Sequence, residues 1–169
     1  DGLTGLSAEH RALLEPVAAL LRGEPQAVLA AKPAGWWEQL TIQGRAGQAL
    51  ELWRGLAQLA TGDAASARST LTRLGERHLR SAAESVRSFY AGLAAAANGQ
   101  PDIALAEWTA IAHNAVRSNL PLLPRLSRAL AEGHQRQLWE LQAAGKWAEL
   151  LAKAEEVAAL APAERAPQV

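Results

Sequence analysis

Apolar residues recur along this chain at intervals of three and four, not two. Leu52, Trp53, Leu56, Leu59 and Ala60 share one face when wound at helical pitch. A second helix-like run, from Ala64 to Leu74, follows at once. Gly62 and Asp63 stand between the two. Gly62 suits a left-handed C-terminal cap, and the Asp63 carboxylate is placed to cap the next helix. No stretch alternates β-branched or aromatic residues with polar ones for long enough to predict a strand. The pattern predicts an all-α chain.

The same pattern returns. "WRGLAQLATGDAASARSTLTRL" (Trp53 to Leu74) aligns without a gap on "YAGLAAAANGQPDIALAEWTAI" (Tyr90 to Ile111), at an offset of 37 residues. Gly55 meets Gly92, Gly62 meets Gly99, Ala67 meets Ala104, Leu71 meets Trp108 and Leu74 meets Ile111. In the second copy Gly99 ends a helix and Pro101 takes a first helical position. Asp102 places negative charge in the first turn, which favours the helix dipole. A third, weaker unit turns at Gly145, 46 residues after Gly99. It runs from Leu138, Trp139 and Leu141 to Trp147, Leu150, Leu151, Ala154 and Val157, and ends at Pro162. The insertion is expected in "SNLPLLPRL", where Pro121 and Pro124 oppose an ordinary helix interior. A single helix pair cannot bury its apolar face, so such units must stack.

The N-terminal third is less regular. A degenerate helix pair turning at Gly23 is expected there, with Pro25 opening its second helix and Pro16 kinking or breaking its first. "KPAGWWEQL" reads as a connector into a short helix carrying Trp36 and Trp37. The chain therefore divides into an N-terminal helical capping region (1–43), helical repeats (44–162) and a frayed tail (163–169).

Alanine and leucine supply most of the apolar surface, and only eight residues are aromatic. Both favour helix. There is no cysteine, which excludes a disulfide framework, a thiolate zinc site and a cysteine nucleophile. The chain opens on Asp1 and has no methionine, so it is expected to be a fragment of a longer, bacterial-type protein. The residues leave the compartment open, with the cytoplasm the readier expectation. No apolar run reaches the roughly 18 residues of a membrane span. Net charge is zero. Residues 44–131 carry ten basic and six acidic groups, an arginine excess too small for a nucleic-acid footprint.

Catalytic chemistry is hard to assemble from these residues. His10, His78, His113 and His134 include no pair at the i, i+4 spacing of a helical zinc site. All four read as structural histidines. Glutamates sit singly on helix faces, and Glu155 and Glu156, being adjacent, point about 100° apart. The glycines fall at helix ends and helix contacts, not in a phosphate-cradling loop. Asp63 and Asp102 read as structural residues. Neither a catalytic residue, a metal site nor a cofactor is expected. Trp53, Trp108 and Trp139 fall at repeat-like core positions, and Trp147 is expected to pack under the adjacent helix pair.

Helix pairs with Gly in the first helix, Gly-Asp at the turn and Ala early in the second resemble the tetratricopeptide repeat family. Gly55, Gly62, Asp63 and Ala67 carry the resemblance in one unit, Gly92, Gly99 and Ala104 in the next. Gly145, Trp147 and Pro162 carry it in the last, which lacks the small residue in its first helix. The resemblance covers about residues 48–162. It implies antiparallel helix pairs stacked as a short α-solenoid, and a concave side that binds a protein or peptide segment. On that reading Trp53, Phe89 and Tyr90 offer apolar contacts, and Arg54 and Arg87, with Arg80 near them, offer charge. The expected function is a non-catalytic protein-interaction or scaffolding module. A small-molecule effector domain and a self-associating module, packed through the Ala-rich "YAGLAAAANG", are the alternatives.

Overall fold

The computed structural model describes residues 8–30, 45–75, 81–117 and 123–159. Among the described residues there are eight α-helices and no strand, as the apolar spacing predicts. The chain divides into two compact units, Asp1–Leu79 and Arg80–Val169. The division falls between the two best-matched helix pairs.

The first unit holds α1 (Ala8–Leu21), α2 (Pro25–Ala30), α3 (Arg45–Ala60) and α4 (Ala64–Gly75). α3 packs on α4, and both α1 and α2 pack on α3. Ala19, Val28 and Ala57 form a buried cluster that joins these N-terminal helices to the first repeat. Pro16 does not break α1, which is helical on both sides of it. Pro25 opens α2 as expected. Trp36 and Trp37 lie outside the described residues.

The second unit holds α5 (Ser81–Ala97), α6 (Pro101–Arg117), α7 (Leu123–Ala143) and α8 (Trp147–Ala159). Each packs on the next. Its core is built around Phe89, Leu105, Trp108, Ile111, Leu126 and Leu130. α7 is longer than α5 because it starts four residues earlier relative to its turn glycine. Part of the expected insertion is thus taken up as helix, with Pro124 in the first turn, where its missing N–H costs no helical bond.

Four turns share one geometry. Gly23, Gly62, Gly99 and Gly145 all have φ between +67° and +84°. At Gly62 the glycine N–H donates to the Leu59 carbonyl (3.1 Å) and the Asp63 N–H donates to the Gln58 carbonyl (2.9 Å). The other three repeat this pair of bonds, which closes the helix end and satisfies two of its orphan carbonyls. A Cβ on any of the four would touch nothing within 4 Å. The left-handed backbone alone selects glycine there. Asp63 caps α4 as expected, its Oδ1 accepting from the Ser66 N–H at 3.1 Å. The Ser66 hydroxyl and N–H both bond that carboxylate and hold its pKa below the usual value.

Gly55 and Gly92 are glycines for a different reason. A Cβ on Gly55 would lie 2.7 Å from Leu71, and one on Gly92 would lie 2.2 Å from the Trp108 indole nitrogen. These are the same two positions of the repeat. In each pair the large residue of the second helix presses onto the bare backbone of the first. Trp108 is fixed there, since its indole N–H donates to the Phe89 carbonyl at 3.1 Å.

Candidate functional site

The five residues expected to meet a partner fall in both units. Trp53 is half-buried on α3, and its neighbour Arg54 is exposed. Tyr90 on α5 is half-buried against the core. The other two point elsewhere than expected. Phe89 is buried in the core of the second unit, its ring edge-on to Tyr90 with centroids 5.3 Å apart. Arg87 is buried too. Its guanidinium bridges Glu84 on its own helix (2.6 Å) and Glu107 on α6 (3.4 Å), and it also bonds the Ser88 hydroxyl. A charge-assisted network of this kind ties α5 to α6. Arg87 and Phe89 are thus spent within the pair. Arg80 lies outside the described residues.

The Ala-rich face considered for self-association is also occupied. Ala91, Ala94 and Ala95 are buried, and Gly92 carries the Trp108 indole.

The last helix pair differs from the expectation. Trp139 and Trp147 are not in a core: they are 61% and 63% exposed, and Leu151 is 62% exposed. No residue of α8 is buried. The position that is glycine in the two earlier pairs, Gly55 and Gly92, is Leu138 here. Ala154 stands where Leu71 and Trp108 stand, so the large and small positions are exchanged in this pair. α8 rests on α7 through a half-buried stripe of Leu150, Lys153, Ala154 and Val157. Its other side is largely apolar and uncovered. The signal available in the sequence was α8 itself, WAELLAKAEEVAA, nine of whose thirteen residues are apolar. That composition suits a helix covered on two sides.

His134 is among the four expected structural histidines. It is 4% exposed on α7, and neither ring nitrogen has a hydrogen-bond partner. Burial lowers its pKa below the usual histidine value, and Lys153 of α8 pushes the same way while Glu156 opposes. Beside it, Gly133 gives the close contact between α7 and α6, where an added Cβ would lie 2.9 Å from Leu105. His78 and the side chains of His10 and His113 lie outside the described residues. Among the described residues no three His, Asp or Glu side chains gather as a metal site. No described helix is long and apolar enough to cross a membrane.

No protein-family model, curated protein or solved structure matches the chain.

Proposed function

We propose that this chain is a non-catalytic protein-interaction module built of tetratricopeptide-like helix pairs. The observation that carries the reading is the uncovered apolar side of α8, with Trp147 and Leu151 as its large side chains. Large apolar side chains on a soluble surface are a standing cost unless a partner covers them, and tryptophan is a favoured anchor of interfaces. Arg54 and the half-buried Trp53 offer a second, more polar contact surface on α3.

The two surfaces are separable by substitution. The intact chain, Leu151→Glu and Arg54→Glu are used as baits in extracts of cells that express the protein, with quantitative recovery of bound proteins. Loss of a partner with Leu151→Glu is expected. Loss with Arg54→Glu alone moves the site to α3. Recovery unchanged in both variants rejects the reading.

A further inference from the structure

We infer that the uncovered face of α8 receives an amphipathic helix from a partner protein, seated as α7 is seated on α6. This rests on the interaction reading above and names the partner's chemistry.

The internal repeat supplies the template. Shifting α6 by the 46 residues between Gly99 and Gly145 places Leu105 on Leu151, Asp102 on Ala148 and Ala112 on Ala158. Leu105 is buried against Gly133 of α7. Asp102 accepts a hydrogen bond from Gln137 of α7 at 2.8 Å and pairs with Arg136 at 3.6 Å. The face of α6 that carries α7 is therefore the face of α8 that carries nothing. At 100° per residue, Trp147, Ala158, Leu151 and Ala148 fall within a sector of roughly 100°. The face that α6 turns to α7 thus recurs, in register, as an exposed apolar surface on α8.

The template also describes the occupant. α7 covers α6 with Leu126, Ala129, Leu130 and Gly133, a stripe at spacings of three and four with glycine at the closest contact. Leu151 needs a similar small residue opposite it. The one charged side chain inside the open sector is Glu155, which is exposed. The occupant thus needs a basic residue at that level. A second copy of α8 fits poorly on the second count. About a twofold axis it would bring its own Glu155 into the same stripe.

The test uses a fluorescein-labelled peptide with the sequence of residues 123–143, titrated into the whole 169-residue chain and followed by anisotropy. This peptide has the leucine–alanine–glycine stripe and carries Arg125, Arg128 and Arg136. Saturable binding in the micromolar range is expected, weakened about tenfold or more by Leu151→Glu or by Ala148→Glu in the chain. Gly133→Leu in the peptide is expected to weaken it similarly. Leu151 and Ala148 are exposed, so both chain variants keep their helix content, checked by circular dichroism. Absence of binding overturns the inference. So does binding that ignores both chain variants, which means that the peptide has displaced the chain's own α7. Sedimentation showing a dimer that Leu151→Glu dissolves assigns the face to a second copy, and also overturns it. If bait recovery depends on Leu151 but the peptide does not bind, the interaction reading stands and the helical occupant falls.

Discussion

A buried imidazole without a hydrogen bond is unusual, because most buried polar side-chain atoms find a partner. Burial disfavours the charged form of His134, with Lys153 adding to that effect and Glu156 acting against it. Its pKa is thus lower in the folded chain than in the unfolded one. In the window between the two values the unfolded state binds more protons, so stability rises with pH. The contribution is complete above the ordinary histidine value of 6.5 and is lost as pH falls through the folded value. Urea unfolding at pH 7.5 and in the mildly acidic range measures it. The intact chain is expected to lose more stability on acidification than His134→Leu does. Equal losses in the two proteins refute this assignment of His134.

Elements pair here by a large residue meeting an absent side chain, and the partner in that contact decides what each helix is worth. The Trp108 indole lies on the bare backbone of Gly92 and bonds the Phe89 carbonyl. Trp108→Ala removes that packing and that bond, and is expected to cost about 3–5 kcal/mol. Trp147 covers nothing comparable, and Trp147→Ala is expected to stay within about 1 kcal/mol of the intact chain. Denaturant midpoints of the two variants give the contrast, and comparable losses contradict the exposed placement of Trp147. The glycine-to-large pairs were legible beforehand, because Gly55, Gly92, Leu71 and Trp108 recur at a fixed offset and each pair is closed within about 20 residues of sequence. The turn glycines were legible for the same reason, since a left-handed cap is a local requirement. The placement of Trp139, Trp147 and Leu151 was not. The apolar pattern of α8 fits a helix covered on both sides, and whether its second side is covered depends on another helix, which no local spacing encodes. Arg87 and Phe89 were misplaced by a related cause. Arg87 is drawn inward by Glu84 and by Glu107, twenty residues away on α6, and a surface reading of arginine cannot foresee a carboxylate supplied by the neighbouring helix.

At the scale of the whole molecule the chain is two units, and the second contains all the contacts that define its own core. Phe89, Leu105, Trp108, Ile111, Leu126 and Leu130 pack on one another within Arg80–Val169. The Arg87–Glu107 bridge, the Trp108–Phe89 bond and the Asp102–Gln137 bond are all internal to it. A segment of this size is long enough for an independent domain. Stacked helix pairs draw most of their stability from nearest neighbours, so removing distant residues leaves those terms intact. Residues 80–169 expressed alone are therefore expected to be helical and to unfold cooperatively in urea. The slope of that transition scales with the surface exposed, so it is expected to be about half that of the whole chain if the whole chain unfolds in one step. A two-step transition of the whole chain, with one step matching the fragment, gives the same answer. A fragment that melts without cooperativity shows instead that α5 to α8 do not hold their fold by themselves, and nearest-neighbour packing along them then fails as an account of what holds them together.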